Sequence, residues 1–259
     1  MNLEQLTAGM PELVKITGNA QTEIKALTAD SRAKCEDGLF FCIRGGRVDA
    51  HDFAPQAVAG GCVALVVERE LAIDCPQVVV TDVRAAMTRI ASAFNGHPER
   101  RMKLVGVTGT KGKTTTAHLL AAVLQADGRQ VGLVGTNGVC WPGHRHDLNH
   151  TTPESCDLQL LLRRMADDGC DACVMEVSSL GMKFDRAAGI EFDVGVFTNL
   201  SPDHIGPGEH ADFAEYLHWK AALFQQCRAG VFNIDDPWVG KIVDGVPCRV
   251  VTYLSLIHI

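Results

Sequence analysis

Val105-Gly106-Val107-Thr108-Gly109-Thr110-Lys111-Gly112-Lys113-Thr114-Thr115 decides how the larger part of this chain is read. Residues 104–107 are an apolar strand candidate that runs into a glycine-rich turn, and a helix pattern over 113–126 follows at once. A phosphate-binding loop needs that order. Gly109 and Gly112 let the backbone turn tightly and aim N–H groups at an anion. The helix N-terminus adds the positive end of its dipole. Lys113 can reach the β- and γ-phosphates of a nucleotide, and Thr114 can offer its hydroxyl to Mg²⁺. The long motif G-x-x-x-x-G-K-[ST] asks for Gly at 107, where this chain has Val107, so the match is to the shorter G-T-x-G-K-T form. A chance glycine turn is the alternative. The strand, loop and helix falling in the required order weighs against it.

Working outward, the downstream chain alternates. Strands are expected over 131–135, 172–177, 194–199, 230–234 and 249–252, with helices over 154–167, 210–226 and 238–243. Such alternation predicts an α/β fold with a mostly parallel sheet covered by helices. Upstream, apolar runs over 38–43, 62–67 and 77–81 read as strands, and 51–59 and 84–94 carry helical spacing. The polar stretch 95–101, broken by Gly96 and Pro98, is the expected boundary. Residues 1–98 then form a small N-terminal α/β domain, and 99–253 form a P-loop central domain. The tail 254–259, LSLIHI, fits neither pattern. It is read as a non-native end with the natural protein continuing; a short terminal strand is the alternative.

Composition narrows the function. Apolar residues make up 46% and charged residues 21%, a globular balance that argues against disorder. The net charge of −7 comes without any block of Lys or Arg, which argues against nucleic acid. A polyanionic nucleotide is still compatible, because backbone N–H groups and a metal supply local positive field. No apolar run is long enough for a bilayer, and the first residues lack a signal-peptide pattern. A cytoplasmic monomer is expected. The ten cysteines read as small buried thiols, and Cys170-x-x-Cys173 has no second pair to complete a zinc site.

Further candidates sit where strands end. Glu176 closes the run Met175-Glu176-Val177-Ser178-Ser179, and ligands in open α/β sheets lie beyond the carboxyl ends of strands. That places Glu176 to meet a metal near the phosphates; an ordinary strand-end carboxylate is the alternative. His204, in Thr198-Asn199-Leu200-Ser201-Pro202-Asp203-His204, faces the same crevice as a candidate ligand. Lys220, flanked by Trp219 and Ala221, reads on physics alone as a snorkelling surface lysine.

Together these residues resemble the Mur ligase family, over nearly the whole chain. Within it, GTKGKTTT, Thr151-Thr152-Pro153-Glu154, EVSS and the Asp-His pair followed by a helical lysine are similar to the branch that adds the third residue of the peptidoglycan stem peptide. The resemblance implies ATP-dependent attack on UDP-N-acetylmuramoyl-L-alanyl-D-glutamate. The D-glutamate carboxylate becomes an acyl phosphate, and the amine of a diamino acid, L-lysine or meso-diaminopimelate, displaces phosphate. It implies that Gly109, Thr110, Lys111, Gly112, Lys113, Thr114 and Thr115 hold ATP, with Asn233 near the adenine. It implies Mg²⁺ ligands at Thr114, Glu176 and His204, and at Lys220 once carbamylated to an oxygen ligand. His150, Thr151, Thr152, Ser178 and Arg186 match positions that contact the muramoyl peptide, and Ser31 and the backbone near Arg47 match the uridine-diphosphate pocket. The chain departs from the family pattern at Lys111 (usually Asn), Leu180 (often His) and 205–210. The family's C-terminal domain has no counterpart, which implies no ligase turnover for this chain alone, and a central sheet stopped early leaves an exposed edge from which poor solubility is expected. The rivals are the dipeptide-adding ligase, a folylpolyglutamate ligase and a non-catalytic nucleotide- or UDP-sugar-binding module.

Overall fold

The computed structural model describes residues 1–46 and 48–254; Arg47 and residues 255–259, most of the suspected tail, lie outside them. The chain divides into two compact units, with the boundary between Gly96 and His97.

The first unit opens with α1 (Leu3–Thr7), β1 (Leu13–Thr17), β2 (Ala26–Thr28) and β3 (Gly38–Phe41). A 3-10 turn over Ala50–Phe53 then leads into α2 (Ala54–Ala59), β4 (Cys62–Val67), β5 (Gln77–Val80) and α3 (Val83–Phe94). The sheet order is β1-β5-β4-β3-β2, with β1 antiparallel and the rest parallel. β3 is apolar and buried at every position, the pattern of a strand covered on both faces. The helix expected over 51–59 divides because Pro55 opens α2, where its missing N–H costs nothing. Sequence reasoning missed three elements. β1 is an edge strand whose Val14 is 60% exposed, so it shows no buried face. β2 has only three residues. α1 did carry a signal, a capping box in which Asn2 and Gln5 satisfy each other's backbone N–H.

The second unit contains β6 (Lys103–Thr108), α4 (Lys113–Ala126), β7 (Val131–Gly135), β8 (Gly138–Trp141) and β9 (His144–His146). α5 (Ser155–Asp167), β10 (Ala172–Glu176), α6 (Ser179–Lys183), β11 (Phe192–Phe197) and α7 (Phe213–Ala222) follow. β12 (Cys227–Asn233), α8 (Val239–Val243) and β13 (Arg249–Tyr253) complete it. The eight strands run β13-β12-β11-β6-β10-β7-β8-β9. β13 through β7 are parallel, and β7-β8-β9 is an antiparallel meander. The fold is mixed α/β with mostly parallel sheets, as expected. The meander was not expected, although Asn137-Gly138 is a strong hairpin signal. The helix expected from 210 starts at Phe213, because the Asp212 side chain caps it by accepting from Glu215 N.

This topology creates the site. After β6 the chain crosses to β7, returns to β10 on one side of β6, and then reaches β11 on the other. The carboxyl end of β6 is therefore a switch point, where the loops after β6, β10 and β11 converge.

Candidate active site

The loop after β6 is built by close approach. Gly109 adopts φ +142°, and a Cβ there would run into Thr198 Oγ1 and lie 3.1 Å from Asn199 N, so only glycine fits. The turn is clamped from β11: Thr198 Oγ1 and Asn199 Nδ2 both donate to Lys111 O, at 2.8 and 2.9 Å. No side chain caps α4, which leaves its first N–H groups open to a ligand oxygen. Lys113 Nζ donates to the Gly109 and Thr110 carbonyls at 2.9 and 3.0 Å. Burial pushes the Lys113 ammonium below its ordinary range, and Glu176 and Asp203 oppose that shift.

Glu176 ends β10 almost fully buried and is held by three donors. Thr114 Oγ1 donates to Oε2 at 3.0 Å, Thr136 N to Oε1 at 2.8 Å and Thr136 Oγ1 to Oε2 at 3.3 Å. A cavity of about 340 Å³ opens beside it. Of the residues singled out from sequence, Thr110, Gly112, Lys113, Thr114, His150, Thr151, Glu176, Ser178, Arg186 and His204 line this cavity. Thr136 and Leu180 line it too, and sequence reasoning did not propose either as a contact. Arg186 is already engaged by Glu154, through Nε at 2.9 Å and Nη2 at 2.7 Å. Ser178 Oγ accepts from Gly181 N at 2.9 Å and starts α6.

Other candidates stand apart from the cavity wall. Thr152 is buried behind it, donating to Glu176 O at 3.1 Å and accepting from Ser178 N at 3.0 Å. Thr115 is exposed one position beyond Thr114 on α4, and Lys111 is exposed at the loop tip. Asn233 ends β12, where its Nδ2 donates to Thr198 O at 2.9 Å and its Oδ1 accepts from Asp235 N at 3.1 Å. Lys220 corrects the snorkelling reading. It is 1% exposed, donates from Nζ to Gly109 O at 2.8 Å and lies 4.7 Å over the Tyr216 ring. Burial first, and then the nearby Lys113 charge, bring its pKa down to about 7. In the first unit, Ser31 follows β2, half-buried beside the Asp30–Arg32 pair. The Arg47 contact lies outside the described residues.

The donors fit Mg²⁺ in part. Thr114 and Glu176 put a hydroxyl and a carboxylate oxygen in contact on the cavity wall, the hard-oxygen chemistry this ion requires. No cluster of three or more His, Cys, Asp or Glu that could hold a metal occurs among the described residues. Beyond His204 on the same cavity wall, the remaining ligands would have to be water and phosphate oxygens, as is usual for this ion.

Strand, glycine loop and helix at the switch point of a parallel sheet define a P-loop α/β protein. Residues 107–255 match the Mur ligase middle domain, and residues 23–103 match the catalytic domain of the Mur ligase family. The chain belongs to the Mur ligase family. It is 42% identical over 247 residues to the UDP-N-acetylmuramoyl-L-alanyl-D-glutamate–2,6-diaminopimelate ligase of Geobacillus thermodenitrificans, covering 92% of this chain and 50% of that protein. A solved structure of a ligase of that name superposes with a TM-score of 0.81 at 24% identity, covering 98% of this chain and 52% of that one. The folylpolyglutamate synthase of Mycobacterium tuberculosis, solved with ADP and AMPPCP, superposes at 0.53 with 19% identity, over 64% of this chain and 46% of that one. The chain spans about half the length of the curated relatives it matches.

Proposed function

We propose that this chain carries the nucleotide- and muramoyl-peptide-binding units of a cytoplasmic, monomeric ATP-dependent ligase. The ligase joins a diamino acid to UDP-N-acetylmuramoyl-L-alanyl-D-glutamate. Meso-diaminopimelate is favoured over L-lysine, because the relatives are named for diaminopimelate. One observation carries the reading: a single cavity is lined by the phosphate loop, by the Thr114–Glu176 pair and by Thr151, Ser178 and Arg186.

The chemistry follows from those neighbours. A substrate carboxylate oxygen attacks the γ-phosphorus of ATP, ADP leaves, and an acyl phosphate forms. The diamino acid's amine then attacks the acyl carbon, phosphate departs, an amide remains and the amine's proton is released. Lys113 and the α4 N-terminus hold the phosphates at fixed positions. Arg186, Ser178 and Thr151 orient the peptide end. Thr114, Glu176 and His204 would hold Mg²⁺, which supplies screening between carboxylate and phosphate and stabilises charge on the transferred phosphoryl group. Lys220 joins that set only if carbamylation converts its buried amine to an oxygen donor. Thr110, Thr115, Lys111 and Asn233 complete the nucleotide contacts, and Ser31 with the Arg47 backbone holds the uridine diphosphate.

Calorimetric titration of the chain with Mg-ATP, beside Lys113→Ala, tests the phosphate loop. The parent should bind at least about tenfold more tightly, the worth of one charged hydrogen bond. Equal affinities in two folded proteins would sink the assignment. Titration with UDP separates this reading from a folylpolyglutamate ligase, for which no uridine binding is expected.

A further inference from the structure

The loop that carries His204 is tied down at a residue with no role in the chemistry above. His210 is fully buried, and its Nε2 lies 2.9 Å from Ser179 Oγ, the residue that opens α6 three positions after Glu176. Its backbone closes the loop on itself: His210 N donates to His204 O at 3.1 Å, and Gly206 N donates to His210 O at 3.0 Å. His204 itself is in the left-handed region at φ +53°, a conformation that neighbouring contacts must maintain. Beside it, the His210 ring packs 5.3 Å from Tyr216, whose hydroxyl lies 3.0 Å from Thr110 Oγ1 in the phosphate loop.

We propose that the His210–Ser179 pair is a positioning latch that fixes the His204 loop against the segment bearing Glu176. The inference rests on the proposed metal role of His204 for its functional meaning, though not for its mechanics. Ser179 is nearly buried, so losing either partner leaves the other's polar atom without a replacement from water. Loop 201–212 would then sample other conformations, and His204 would leave the cavity.

Two readouts separate the latch from the functional reading. Hydrogen exchange over residues 203–210 should rise about tenfold in Ser179→Ala and in His210→Phe, the effect of one net hydrogen bond. His210→Gln, which carries an amide nitrogen to the Nε2 position, should restore it. The double variant should exchange no faster than either single one. Unchanged exchange in folded Ser179→Ala overturns the latch. Titration with Mn²⁺ in the presence of ADP then reads the consequence: Ser179→Ala should lose about as much Mn²⁺ affinity as His204→Ala, with ADP affinity in EDTA unchanged. If His204→Ala lowers Mn²⁺ affinity and Ser179→Ala does not, the positioning role is refuted. If His204→Ala changes nothing, the metal assignment fails instead, and the exchange rates alone decide the latch.

Discussion

A methyl group at Gly135 should damage the site from behind. Gly135 ends β7, and a Cβ built there would collide with Glu176 Oε1 and lie 2.8 Å from Cδ and 2.9 Å from Cγ. Glu176 is 2% exposed and held by Thr114 and Thr136, so it has nowhere to move without breaking those bonds. Overpacking costs about 1–3 kcal/mol. Loss of a charged hydrogen bond costs about 1.5–3 kcal/mol. The two overlap, because a displaced carboxylate relieves the clash, so Gly135→Ala should cost about 2–4 kcal/mol in total. For a unit of this size that lowers its melting temperature by about 5–15 °C in a calorimetric scan. Gly143→Ala is the control: it sits at φ +79° with nothing within 4 Å, and left-handed strain alone costs about 1 kcal/mol. In a Glu176→Ala background the new methyl has room, and Gly135→Ala should add little. Equal melting of Gly135→Ala and Gly143→Ala, or full additivity with Glu176→Ala, would refute the reasoning.

Two further outcomes are expected. Tyr216→Phe removes the buried hydroxyl shared with Thr110, and should lower the second unit's melting temperature by about 2–4 °C, since one hydrogen bond is worth about 1 kcal/mol; an unchanged transition would show that Thr110 does not need it. Glu215 is held down to about 2, first by the Lys183 hydrogen bond and then by the Ala211 N–H. Its folded pKa lies below its unfolded one, so the stability it contributes is present above the ordinary carboxylate range and is lost as pH falls toward 2. Glu215→Gln should flatten the urea midpoint between about pH 2.5 and 4.5 relative to the parent, and an identical slope would count against the ion pair.

The local parts of the fold were legible because their causes are local. The phosphate loop lies within one turn of chain, and β10 is a continuous apolar run ending in a carboxylate. Apart from α1, whose capping box is local, what escaped notice depends on pairing at a distance. Thr136 binds Glu176 across 40 residues, and only the Asn137-Gly138 turn hinted that a hairpin would bring it there. Lys220 reads as a surface lysine among Trp219 and Ala221, because nothing nearby in sequence shows that a carbonyl 111 residues away receives its ammonium. His210 and Tyr216 sit among polar and apolar neighbours without any period that separates a latch from ordinary packing.

One shared carbonyl ties two of these separated parts together. Gly109 O accepts from Lys113 Nζ at 2.9 Å and from Lys220 Nζ at 2.8 Å, so two amines crowd one oxygen. The repulsion between them helps bring Lys220 down to about 7, after burial itself. A phosphate drawn to the α4 N-terminus would compete for Lys113 and pull its ammonium off the loop carbonyls. Lys220 would then hold Gly109 O alone and feel less of its neighbour's charge. On the proposed reading, nucleotide at the loop and the protonation of Lys220 would be linked through the Lys113 charge and a shared backbone oxygen, and linkage of this kind is reciprocal. A lysine that looks like surface decoration in the sequence thus becomes part of the phosphate loop's own electrostatics, from a helix more than a hundred residues downstream.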